Sequence, residues 1–199
     1  EAVSLWIYVN VYPVVVRFHQ SSIWTNNQLE GFLVREVSMS TISELSSEDI
    51  LRPSCRFRCA FDCINISISE SMKICNQIGK TVNYPLYDEA SFIDEICSRQ
   101  NNRILVIYDG DNCYGALHFE LCKEGDTKVV HIHHVGVYPQ YRRKGYATEL
   151  FRYLFKHVRA DEYQIGLMVD NMSARKLYEA LGFRTHFVSM FRNGRIIEM

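Results

Sequence analysis

Val135-Gly136-Val137-Tyr138-Pro139-Gln140-Tyr141-Arg142-Arg143-Lys144-Gly145-Tyr146-Ala147-Thr148 is the stretch on which the fold turns. Its apolar start reads as the end of a strand and Tyr146 as the start of a helix, so residues 142–145 form the tight turn between them. Such a turn leaves backbone N–H groups aimed at one point, and the helix adds the positive end of its dipole. Gly145 gives the turn conformational freedom, small Ala147 permits close approach, and Arg142, Arg143 and Lys144 supply charge. Residues 142–148 therefore read as an anion site that a pyrophosphate fits. Taken alone, three cations before a helix read equally well as a solvated basic turn.

Outward from this turn, residues 104–108, 114–121 and 128–137 are rich in strand-forming side chains, and 109–112 and 123–126 have turn composition. An antiparallel meander follows. Downstream, the pattern predicts a helix over 146–159, a strand over 164–169, a helix over 173–181, and two short strands flanking Arg192-Asn193-Gly194. Upstream, Ala90, Phe92, Ile93, Ile96 and Cys97 form an apolar stripe behind Asp88, a helical signature over 88–99. Residues 41–51 place Ile42, Leu45, Ile50 and Leu51 at roughly helical spacing, with Ser40 or Thr41 as cap. Residues 32–37 and 5–18 read as strands, and 21–30 as a loop. Residues 53–81 resist assignment, because Cys55, Cys59 and Cys63 step by four before Ile64, Ile66 and Ile68 alternate. The expectation is an α/β architecture: a mixed, mostly antiparallel sheet with helices on both faces. Residues 1–31 read as an N-terminal extension and 32–199 as the domain.

The chain also contains Asp170-Asn171-Met172-Ser173-Ala174-Arg175-Lys176-Leu177-Tyr178-Glu179-Ala180-Leu181-Gly182-Phe183-Arg184. With the first stretch it resembles the paired signatures of the GNAT acetyltransferase superfamily, R-x-x-G-x-A followed by N-x-x-A-x-x-L-Y-x-x-x-G-F. The resemblance is sharp over residues 129–187 and schematic back to Phe32. It implies central strands that splay, the one ending at Val137 from the one ending at Val169, with acetyl-CoA in the gap as acetyl donor. It also implies an amine acceptor, a small molecule or a protein amino group, acetylated directly in a ternary complex. The backbone of Val135, Gly136 and Val137 would pair with the pantetheine arm, Gly136 leaving room for it; a bulge or packing glycine is the other reading. Asn171 bonds the cofactor or caps the helix after it. Tyr178 is implied as proton donor to the departing thiolate, while Leu177, Tyr178, Leu181 and Phe183 also read as an apolar packing face.

Acetyl transfer to an amine needs a base. Strict alternation puts His131 and His133 on one face with Val135 and Val137, and a pair of imidazoles titrating near neutrality suits that task. This His-x-His resembles the arylalkylamine N-acetyltransferases; a half-buried structural role and a metal site stay open for the same histidines. The Val135 N–H is the expected oxyanion donor.

Composition bounds the rest. Hydrophobic residues at 47% and charged residues at 23% describe an ordinary globular chain. A net charge of -1 gives no bulk attraction for nucleic acid. The apolar run 5–16 is broken by Asn10 and Pro13 and is too short to cross a bilayer, so no membrane partner is expected. Seven cysteines, an odd number without a disulfide framework, read as free thiols, with no metal and a cytoplasmic location. Cys55, Cys59 and Cys63 lack a fourth ligand at zinc spacing. The expected state is monomer or homodimer. A non-catalytic acyl-CoA-binding or interaction module is the competing class.

Overall fold

The computed structural model describes residues 14–19, 40–52, 54–77, 86–168 and 170–187. Among these residues seven strands make one sheet: β1 (Val14–His19), β2 (Thr41–Glu44), β3 (Asn102–Asp109), β4 (Asn112–Glu124), β5 (Thr127–Val137), β6 (Glu162–Leu167) and β7 (Arg184–Phe187). Their order in space is β2-β3-β4-β5-β6-β1-β7. Every neighbouring pair is antiparallel except β5 and β6. The meander arises locally: Gly110 and Gly125 take φ of 55° and 64° in the turns at either end of β4, a conformation that costs other residues strain.

Helices cover both faces. Alternation divides β3, so that Ile104 and Val106 pack with Phe57, Cys63, Ile64 and Phe92 from one side. Leu105 and Ile107 pack with Leu150, Phe151, Leu154 and Tyr178 from the other. The first layer holds α1 (Ser47–Leu51), α2 (Cys55–Gln77) and α3 (Glu89–Phe92), which continues as a π-helical turn over Ile93–Cys97. The second holds α4 (Tyr146–His157) and α5 (Met172–Ala180). None of the described helices is long and apolar enough to cross a membrane.

Three expectations change. Residues 41–51 are not one helix. Ile42 pairs with Ile107 in the sheet, and Ser46 rather than Ser40 or Thr41 caps α1 through a reciprocal capping box with Asp49. Residues 53–81 contain a helix of 23 residues. The four-residue cysteine step was the true period, and the alternating isoleucines were incidental, with Ile64 and Ile68 buried and Ile66 less so. Finally, β1 belongs to the sheet, paired with β6 on one side and β7 on the other, although it falls within the expected extension. The strand over 32–37, the loop over 21–30 and the Asn193-Gly194 hairpin lie outside the described residues.

Candidate active site

β5 and β6 pair only from Val129↔Glu162 to Ile132↔Ile165, whereas β5 runs on to Val137. The sheet therefore opens after Ile132. Tyr138 N donates to Tyr114 O at 3.0 Å, and the Gly136 carbonyl lies against Gly115. Peptide groups alternate along an antiparallel pair, so the N–H groups of Val135 and Val137 point away from β4, into the opening.

Gly136 serves another purpose than the one expected. A Cβ there would lie 2.2 Å from the carbonyl oxygen of Cys63 in α2. The missing side chain lets α2 press onto β5, and the residue's own carbonyl is turned toward β4. This contact supports the packing reading of Gly136 and concerns the α2-facing side of β5, not the edge that faces the opening.

A short 3-10 turn, Pro139–Tyr141, leads from β5 into the basic turn. Arg143 and Gly145 are left-handed there, with φ of 63° and 94°. Gly145 occupies the N-cap of α4 and offers no side-chain cap, so the first-turn N–H groups of Tyr146, Ala147 and Thr148 remain available to an anion. Tyr146 stacks on Tyr114 of β4 with ring centroids 4.4 Å apart, fixing where the helix starts. Arg142 faces elsewhere. Its Nε donates to Val137 O at 3.0 Å and its guanidinium pairs with Glu70 of α2 at 2.8 Å. It ties the turn to β5 and α2, leaving Arg143 and Lys144 exposed, with Lys144 Nζ 5.3 Å from the Tyr141 ring centre.

The histidines depart from simple alternation. His134 pairs with His118 and Ile132 with Phe119, leaving His133 as the extra residue of a β-bulge. His131, His133 and His134 therefore share the α2-facing side with His118 and Glu120, while Val135 and Val137 pack on the α4 side. The expected grouping of the histidines with those valines is thus corrected; His131 and His133 do share a face. His133 Nε2 lies 3.3 Å from Glu120 Oε2, and His131 Nε2 lies 3.3 Å from Glu124 Oε1. His118 stacks between His133 and His134, at centroid distances of 5.0 and 5.7 Å. It is 3% exposed, and neither ring nitrogen has a hydrogen-bond partner among the described residues.

Burial, then the charges of His134 and His133, hold His118 well below the usual histidine range. Burial brings His134 down to about 3. Burial and then His133 lower His131, with Glu124 and Glu120 opposing. Hydrogen bonding from His133 lowers Glu120. Near neutral pH, His131 is a neutral imidazole able to accept a proton, beside carboxylates that stabilise the charged form. Sequence reading missed His118, Glu120 and Glu124. Counting back from the Gly125 turn pairs Glu120 with His131 and Phe119 with Ile132, but the bulge breaks the count at His118, which meets His134 rather than His133.

Tyr178 is 8% exposed and meets Phe151 and Phe183 edge-on, at 5.7 and 5.9 Å. Burial raises its pKa, so the phenol stays protonated. Asn171 accepts from Ala174 N at 3.1 Å, capping α5 and leaving its amide nitrogen as the group able to donate.

A family model described as acetyltransferase (GNAT) family matches residues 68–183, more than half of the chain. The chain belongs to the GNAT acetyltransferase family. No curated protein matches the sequence. Among solved structures, a mutant form of the BH1408 protein from Bacillus halodurans shares the fold with a TM-score of 0.62 at 17% identity, over 77% of this chain and 98% of that one. An aminoglycoside acetyltransferase from an uncultured soil metagenomic sample gives 0.54 at 13%, over 80% and 97%. A ribosomal-protein-alanine N-acetyltransferase from Brucella melitensis gives 0.51 at 14%, over 80% and 99%. GNAT proteins generally use acetyl-CoA, and this chain fits it: uncapped α4 amides beside Arg143 and Lys144 suit the diphosphate, and the outward edge of β5 suits the pantetheine amides.

Proposed function

We propose that this GNAT protein transfers an acetyl group from acetyl-CoA directly to a primary amine, on a small molecule or a protein. What supports the reading is a single continuity: β5 carries the histidine–carboxylate pairs, then the outward Val135 N–H, and ends at the anion turn. Bound acetyl-CoA supplies an activated acetyl thioester. Arg143, Lys144 and the amides of Gly145, Tyr146, Ala147 and Thr148 hold its diphosphate, and Arg142 positions that turn. Val135 and Val137 pair with the pantetheine arm, and Asn171 donates to it. The Val135 N–H stabilises charge developing on the carbonyl oxygen. His131 and His133 accept the ammonium proton, Glu124 and Glu120 stabilising the imidazolium, and His118 bridges His133 to His134. Tyr178 protonates the departing thiolate. The same reading places the protein in the cytoplasm as a monomer or homodimer, with no nucleic-acid or membrane partner.

The test is thiol release from acetyl-CoA with arylalkylamines, polyamines, aminoglycosides, amino acids and peptides, beside calorimetry of the cofactor alone. Saturable binding with acceptor-dependent turnover is the expected result. Binding with an entirely silent panel favours a non-catalytic module, and no binding by folded protein removes the proposal. Replacing Gly145 by Val forces a β-branched residue to φ near 94°. It is expected to weaken acetyl-CoA binding roughly tenfold, about 1.4 kcal/mol, in the same calorimeter.

A further inference from the structure

A second group of reactive side chains gathers where α2 crosses β4, and acetyl transfer makes no use of its thiols. Cys55, Cys59 and Cys63 recur every fourth residue along α2, and Cys113 meets them from β4. Cys113 Sγ donates to the Cys55 carbonyl at 3.3 Å, and Cys59 Sγ to the Gly115 carbonyl at 3.6 Å. Cys59 and Cys63 are sealed, whereas Cys55 and Cys113 are partly exposed, and all four are reduced. Arg56 lies beside the group, over the Tyr108 ring at 5.5 Å.

We propose that Cys113 is a peroxide-oxidisable thiol and Cys55 its resolving partner, the two closing into a disulfide that ties the start of α2 to β4. Once ionised, Cys113 would accept from the neighbouring thiols of Cys59 and Cys55, and these with the Arg56 charge draw it toward the thiolate against the effect of burial. Burial alone pushes Cys97 up to about 11, and burial with nearby carboxylates does the same to Cys122. Cys55 is raised by burial and then by the charge of Cys113, so oxidation of Cys113 relieves part of that shift and frees Cys55 to react. The Cys113 thiolate attacks the O–O bond of hydrogen peroxide, forming a sulfenic acid and releasing hydroxide. The Cys55 thiolate then attacks that sulfur, the S–O bond breaks, and a second hydroxide leaves. With the two thiol protons the balance is one disulfide and two waters. Later turns of α2 carry Cys63 against Gly136 and Glu70 against Arg142, so the link anchors the helix that supports the anion turn.

The proposal stands independently of acetyl transfer, and its test needs no acceptor. The folded full chain is titrated with hydrogen peroxide, alkylated and mapped by mass spectrometry, with dimedone to trap sulfenic acid. Expected are the loss of two thiols, a Cys55–Cys113 cross-linked peptide reversed by dithiothreitol, dimedone on Cys113 when Cys55 is changed to Ser, and no cross-link in Cys113→Ser. Should either variant fail to fold, alkylation kinetics of the unmodified protein decide, because Cys113 must react ahead of Cys97 and Cys122. Earlier reaction of Cys97 or Cys122, a Cys59–Cys113 link, or no thiol loss overturns it.

Discussion

Alanine at position 136 is expected to destabilise the fold by about 3 kcal/mol, among the largest effects available from a single methyl group. The new Cβ would stand 2.2 Å from Cys63 O and 2.8 Å from Cys63 C. Both are backbone atoms in the middle of a helix of 23 residues, so no side chain can swing aside. The chain must lift α2 from β5, losing packing around Phe57, Cys59 and Ile64, which are all fully buried. Urea unfolding checks this: the midpoint should fall with little change in slope. Because Glu70 rides on the same helix as a partner of Arg142, acetyl-CoA affinity should fall as well. A variant as stable as the parent would mean that α2 does not press on β5 in this way.

Tyr178→Phe is expected to lower kcat by about 100-fold or more, with acetyl-CoA affinity and thermal stability nearly unchanged. The ring keeps its edge contacts with Phe151 and Phe183, so packing survives and the hydroxyl alone is lost. The pH profile separates the two roles. A base works when deprotonated, and His131 is lowered from its usual value, so the acidic limb should fall below the ordinary histidine midpoint of about 6.5. An acid works when protonated, and burial raises Tyr178, so the rate should hold to above about 10. The variant should retain the acidic limb and lose the basic one. Equal kcat values with Tyr and Phe would leave the residue only its place in the core.

What sequence reveals here is what is local. The turn at Arg142–Ala147 and the segment Asn171–Phe183 declare themselves because glycine, charge and apolar spacing within a few residues dictate the conformation. The β3–β5 meander is equally legible, its turns marked by Gly110 and Gly125. α2 was obscured because its β-branched isoleucines alternate while its buried positions follow the cysteine step. The bulge at His133 is invisible to alternation, since one inserted residue reverses every later assignment on the strand. His118 and Glu120 join the site across a strand pair, and Gly136 answers to a helix far earlier in the chain. Such relations depend on register and layer packing, which short-range patterns do not encode.

The place of β1 bears on how the molecule is made. Val14–His19 lies between strands formed by residues 162–167 and 184–187, so both its neighbours come far later in the sequence than it does. As synthesis proceeds, this valine-rich hexapeptide leaves the ribosome long before either partner exists, and the margin of β6 away from β5 stays unpaired until β1 docks against it. Non-local pairing of this kind slows folding and leaves strand edges open to other chains meanwhile. Nascent molecules arrested before residue 187 should therefore be the ones that draw on chaperones.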